Sequence, residues 1–151
     1  PPNVFGPNGE EVIPGNPISS EIWDEEIAYL DQLKFTNNEI IKVIDKILDE
    51  NEESIIIIQS DHGSGFNIDW NNPDESMILQ RLSILNAYYV PEISEDQLYE
   101  NITPVNSFRV IFNNYFNGNY EIWEDQNYWN DIYKPYDFHD VTKIVSMNFN
   151  K

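Results

Sequence analysis

Glu53-Ser54-Ile55-Ile56-Ile57-Ile58-Gln59-Ser60-Asp61-His62-Gly63-Ser64-Gly65 is the stretch on which the reading of this chain turns. Four consecutive isoleucines run into an Asp-His pair and then into a glycine-rich turn. A short unbroken run of β-branched apolar residues reads as a strand buried on both faces, as in parallel sheets. In open sheets of that kind ligands collect beyond the carboxyl ends of the strands, so the pattern puts a carboxylate and an imidazole where chemistry is expected. Both groups ligate first-row cations such as Zn²⁺ and Mn²⁺, and Gly63 would let the backbone turn sharply after them. The bland alternative is that Asp61 caps a loop and His62 packs at a sheet edge.

Outward from the isoleucine strand, Trp23, Ile27, Leu30, Leu33, Ile40, Ile41, Ile44, Ile47 and Leu48 recur at helical spacing. They predict one long amphipathic helix, or two nearly collinear ones broken near Thr36-Asn37-Asn38, packed on a sheet. Ser19 or Ser20 offers its N-cap, with Asp24, Glu25 and Glu26 near the positive end of the dipole. On the other side, Asp74 can cap a short helix to Arg81, and Ile84 to Val90 predicts a second strand stopped by Pro91. Thr103-Pro104 opens a further helix, with Thr103 at the N-cap and Pro104 at the first helical position. Asn117-Gly118 closes it. Weak alternation from Val141 to Phe149 predicts a last strand. Residues 1–17, dense in Pro, Gly and Asn, read as an irregular loop, residues 18–116 as an α/β core, and residues 117–151 as an aromatic, acidic tail of one partial domain.

Composition sets limits on the chemistry. The 151 residues carry 27 acidic against 8 basic side chains, a net charge of −19. Only two of the basic residues are arginines, Arg81 and Arg109, so a nucleic-acid partner is not expected, because phosphate contacts need clustered Lys and Arg. An anionic substrate would have to be attracted locally against this field, and a divalent cation is the obvious device. The absence of cysteine excludes disulfides, thiolate zinc sites and a cysteine nucleophile. No apolar run approaches the length of a membrane span. The chain opens on Pro1-Pro2, without an initiator Met or a signal peptide, and upstream sequence is therefore expected.

Other motifs fail on their own terms. Ser64 lacks the Gly-x-Ser-x-Gly elbow, and Ile68 stands where a dinucleotide fingerprint needs glycine. Asn67, Asp69 and Asn71 alternate like a calcium loop, but its glycine and its terminal acid are missing. His139, among Asp137 and Asp140, reads as a surface histidine more readily than as a third ligand.

The strand followed by Ser60-Asp61-His62-Gly63 resembles the metal-binding segment of the alkaline phosphatase and sulfatase superfamily. Its sulfatase-like branch includes lipoteichoic acid synthases and phosphoethanolamine transferases. Tyr29-Leu30-Asp31 is similar to the helix before the metal strand, Leu85 to Pro91 to the strand after it, and Ile102 to Arg109 to a later helix start. Together these segments cover most of residues 20–116. The resemblance implies a partial three-layer α/β/α sandwich with a mostly parallel sheet, corresponding to the C-terminal portion of the catalytic domain. It implies a divalent metal ion (Mn, Zn, Mg or Ca) held partly by Asp61 and His62, and an anionic phosphate or sulfate ester as substrate of the full-length parent. The nucleophile and remaining ligands would belong to the N-terminal part of that domain, leaving this chain catalytically inactive by itself. A parent anchored upstream at the cell surface would also follow. The competing expectation is a non-catalytic acidic extracellular interaction or scaffold module.

Overall fold

The computed structural model describes residues 4–12, 25–131 and 133–149. The chain divides into two compact units, residues 1–54 and 55–151.

In the first unit, β1 (Val4–Phe5) and β2 (Glu11–Val12) pair antiparallel. The turn between them closes through Gly6 N–H to Glu10 O at 2.8 Å and Gly9 N–H to Gly6 O at 3.0 Å. Gly9 has φ +88°, a conformation that glycine adopts without a Cβ penalty. Helix α1 (Glu25–Glu50) then runs for 26 residues without a break. Thr36 is no interruption, because its hydroxyl donates back to Gln32 O at 2.8 Å inside the helix. Phe35 meets the Phe5 ring at 5.1 Å, and Gln32 Oε1 accepts the Phe5 N–H at 2.7 Å. The apolar stripe of α1 is nevertheless largely uncovered, with Ile27, Leu30, Leu33, Ile41, Val43 and Ile47 all exposed. The expected caps at Ser19 or Ser20, Trp23, Asp24, and the loop residues 1–3 and 13–17 lie outside the described residues.

The second unit holds β3 (Ile56–Gln59), α2 (Glu75–Leu82), β4 (Asn86–Tyr89), α3 (Pro104–Tyr115), β5 (Tyr128–Asn130), β6 (Phe138–Asp140) and α4 (Thr142–Phe149). A short 3₁₀ turn occupies Glu95–Gln97. The expected three-layer α/β/α sandwich with a mostly parallel sheet is not formed. Among the described residues every strand pair is antiparallel and every sheet has two strands. Strand β3 pairs with β4 in the register Ile56↔Tyr89 to Gln59↔Asn86. An isoleucine run records that both faces of a strand are apolar. It carries no information on the direction of the neighbour, which the return of the chain through α2 decides here. All four β3 residues are half-buried, not enclosed.

Asp74 caps α2 as the sequence predicts, its Oδ1 accepting from Met77 N at 2.9 Å and Ser76 Oγ at 2.7 Å. Those bonds, that to Met77 first, hold its carboxyl below the ordinary range. Thr103 and Pro104 open α3, but the Thr103 side chain makes no cap bond. Its N–H and hydroxyl both donate to Asp125 Oδ1 instead. At the other end the left-handed residue is Asn117 (φ 53°), and Gly118 N–H returns to Phe112 O at 3.0 Å. The strand expected from Val141 to Phe149 is helix α4. Asp140 Oδ1 accepts the Thr142 N–H at 2.9 Å, and Val141, Ile144 and Val145 follow helical spacing.

Two clusters form the core of this unit. Ile68, Ile78, Trp129 and Val141 pack with Trp70, Met77, Leu82 and Ile144. Ile93, Ile102, Val110 and Ile111 pack with Ile57, Tyr88, Val90, Leu98 and Tyr115. One face of α3 holds the following segment through side chains in place of strand pairing. Asn106 exchanges two bonds with the Trp123 backbone at 2.7 and 3.0 Å, and Asn113 exchanges two with Tyr120, both at 2.8 Å. Between them Arg109 donates to Glu121 O at 2.8 Å and lies 3.7 Å over the Trp123 ring. Residues 120–125 thus satisfy backbone groups on a helix, a role for the asparagines that composition alone did not reveal.

Candidate functional site

Strand β3 delivers Asp61 and His62 to one end of the β3–β4 ribbon. The pairing continues one step past the strand, with Ser60 N–H donating to Leu85 O and Leu85 N–H to Ser60 Oγ, each at 2.9 Å. Gly63 then fixes the pair. Its N–H donates to Arg81 O at 2.7 Å, taking up a carbonyl at the C-terminal end of α2. A Cβ at Gly63 would lie 2.6 Å from Ser83 O and closer still to Gln80 O. Glycine is required there by this close approach of two backbones. It is not among the positive-φ residues, so the sharp-turn reason given by the sequence is replaced. The negative end of the α2 dipole consequently lies beside the pair, a setting that favours a cation.

Asp61 and His62 are both exposed, with Asp61 Oδ2 3.5 Å from His62 Nε2. Two vertices of a tetrahedron with metal–ligand bonds of about 2.0–2.1 Å lie roughly 3.3–3.4 Å apart. The separation therefore suits two ligands of one first-row cation. His62 Nδ1 lies 2.9 Å from Gly63 O and 2.7 Å from Arg81 Nη1. With its proton on Nδ1, the ring donates to Gly63 O and leaves the Nε2 lone pair to a cation on the Asp61 side. With the proton on Nε2, Arg81 donates to Nδ1 and the ring has no lone pair to offer there.

The pair helps line a cleft of about 450 Å³, together with Trp70, Arg81, Leu82, Ile84, Tyr128, Trp129 and Asn130. Trp70 and Trp129 stack at 5.7 Å, and the Arg81 guanidinium lies 5.3 Å over Trp70. Sequence reasoning did not assemble this wall, since its members come from three separate segments. The one signal available was the rarity of arginine in so acidic a chain.

Among the described residues no three His, Cys, Asp or Glu side chains converge as a metal group. His139 stays with Asp137, at 3.7 Å, on β6. The would-be calcium run is a set of local turns: Asp69 Oδ1 accepts from Asn71 N and Asn72 N at 3.1 and 3.2 Å, and Asn67 is left-handed at φ 56°. Ser64 Oγ accepts from Gln80 Nε2 at 3.2 Å and Phe66 N at 3.3 Å, a loop brace. Tyr29 and Asp31 belong to the first unit, where Asp31 pairs with Lys34 at 3.3 Å. Among the described residues no helix is long and apolar enough to cross a membrane.

The second polar centre is structural. Asp125 takes bonds from Thr103, Asn106 and the Tyr99 hydroxyl. Burial works to raise its pKa, but these bonds, Thr103's first, together hold it below the ordinary value. Tyr99 is pushed up to about 12, by burial first and then by the Asp125 carboxylate.

No family model, curated protein or solved structure matches this chain.

Proposed function

We propose that this chain is part of the catalytic domain of a sulfatase-like, metal-dependent hydrolase or transferase acting on phosphate or sulfate esters. It contributes Asp61 and His62 as two metal ligands. The observation that carries the reading is the 3.5 Å separation of Asp61 Oδ2 and His62 Nε2 on the wall of one cleft. The nucleophile and the remaining ligands are assigned to the rest of that domain, so the isolated chain does not turn over esters.

A divalent cation held there by Asp61 and His62 would polarise the ester oxygens and stabilise the charge that develops on them. Asp61 supplies a hard oxygen and one negative charge. His62 supplies a neutral nitrogen, oriented when Nδ1–H is held by Gly63 O. Trp70 and Trp129 form an apolar wall of the cleft.

Calorimetric titration with Zn²⁺ and Mn²⁺ tests the reading, with Asp61→Ala, His62→Ala and the double variant as controls. Wild type is expected to bind at least tenfold more tightly than either single variant. Equal binding by wild type and double variant ends the proposal. That result would favour a non-catalytic acidic interaction module.

A further inference from the structure

Strand β4 and the turn before α3 border a second cavity of the second unit, of about 340 Å³. Only Leu82 and Ile84 border both it and the cleft that Asp61 and His62 line. Tyr88 of β4 and Asn101 of the turn are on its wall, and Tyr88 Oη and Asn101 Oδ1 are buried without a hydrogen-bond partner. Both residues are anchored. Tyr88 stands opposite Ile57 in the β3–β4 ribbon and packs against the cluster of Ile93, Ile102, Val110 and Ile111. Asn101 directly precedes Ile102 of that cluster, in a turn closed by Ile102 N–H to Tyr99 O at 3.0 Å. A buried polar atom left unpaired costs free energy, so native folds keep few of them. Two on the wall of one cavity are the mark of a site whose ligand supplies the missing bonds.

We propose that this cavity binds a small primary amine with an apolar body, its ammonium group pairing Tyr88 Oη and Asn101 Oδ1. Asn101 Oδ1 can only accept, so its partner must carry an N–H or O–H, and Tyr88 Oη accepts as well as donates. An ammonium brings three donors, enough for both atoms at once. Charge separates the remaining candidates. Among the described residues no Lys, Arg or His lines the cavity, and its one charged lining residue is the exposed Glu100. The Asp125 carboxylate is bonded to two further lining residues, Thr103 and Tyr99. An anionic ligand would be repelled from this setting, whereas the net charge of −19 concentrates cations around the chain. Leu82, Ile84, Leu98, Ile102 and Val145 supply the surface for a hydrocarbon body. The volume lies at the low end of the range of about 300–1,000 Å³ for ligand pockets, so the ligand is small. None of this depends on the metal reading, because neither Asp61 nor His62 lines the cavity.

The experiment titrates the chain with hexylamine, hexanol and hexanoate, which share one hydrocarbon body and differ only in the polar head. Binding is followed by nuclear magnetic resonance at neutral pH, in 0.15 M salt to screen the long-range field. Tyr88→Phe and Asn101→Leu are run beside wild type. Both keep the net charge, so a change in affinity cannot come from general attraction to an acidic surface. Hexylamine is expected to bind at least tenfold more tightly than hexanol, and hexanoate more weakly still. Each variant is expected to lose at least fivefold in hexylamine affinity while its thermal midpoint stays level or rises, since each removes an unpaired polar atom. Where only one variant folds, that one decides. No hexylamine binding by wild type, wild-type hexylamine affinity in a folded variant, or hexanol or hexanoate binding as tightly as hexylamine overturns the inference. A lowered midpoint in both folded variants overturns it too, because the two atoms would then already have partners in the free protein.

Discussion

Gly63→Ala tests how the Asp61–His62 pair is held. The added methyl would stand 2.6 Å from Ser83 O, closer to Gln80 O, and 3.1 Å from Arg81 O. None of the three can swing aside, because all are backbone at the end of α2. Relief requires the turn to move off the helix by roughly 1.5 Å, given that carbon contacts settle near 3.5–4.0 Å. That movement breaks the 2.7 Å bond from Gly63 N–H to Arg81 O. A lost backbone bond costs about 1 kcal/mol and the overpacking about 1–3 kcal/mol, so the second unit should lose about 2–4 kcal/mol. Gly65→Ala is the matched control. Its Cβ meets only Arg81 Nη1 and Trp70 at 3.6 Å, ordinary contacts, and it should cost less than about 1 kcal/mol. Urea unfolding followed by tryptophan fluorescence measures both, and the same samples report Mn²⁺ affinity, which should fall with Gly63→Ala alone. A Gly63→Ala variant as stable as Gly65→Ala would show that the turn is not seated on α2, and would remove the basis for a fixed ligand pair.

The Asp125 centre makes predictions at both ends of the pH scale. Asp125→Ala should cost about 2–3 kcal/mol by stranding Thr103, Asn106 and Tyr99 donors. Because the folded pKa of Asp125 is depressed, its contribution is complete above the unfolded value near 3.8 and fades as pH falls through the lower folded value. Wild type and Asp125→Ala should therefore converge in stability on acidification. Tyr99, raised to about 12, behaves in the opposite sense: its contribution is complete below the unfolded pKa of 10.0 and is lost between there and 12. Thermal unfolding of wild type and Tyr99→Phe should show that alkaline loss in wild type only. Asn106 is 1 % exposed and makes three bonds to residues 123 and 125, so Asn106→Ala should cost about 2–4 kcal/mol and free Trp123, seen as a red-shifted emission.

Local signals were legible wherever a single residue's chemistry decides the outcome. Asp74 caps α2 and Pro104 opens α3, because capping and ring constraints act within one turn of chain. The long period-3.6 stripe predicted α1, which needs no distant partner to be helical. Thr103 marked the right boundary for a different reason, since Asp125, 22 residues away, claims its hydroxyl. The Val141–Phe149 segment misled because its alternation is weak, and Asp140 turns the chain into a helix by accepting the Thr142 N–H.

The sequence by itself determined the residue chemistry of the candidate site: a carboxylate and an imidazole placed together just after an apolar strand. It also determined α1, α2 and α3, because periodicity, caps and prolines are local causes. Tertiary structure alone decided the direction of strand pairing, the seating of Gly63 on the end of α2, and the arrival of Arg81, Trp70 and Trp129 around His62. Those outcomes depend on where distant backbone segments meet, and apolar side chains that record burial carry no record of which segment does the burying.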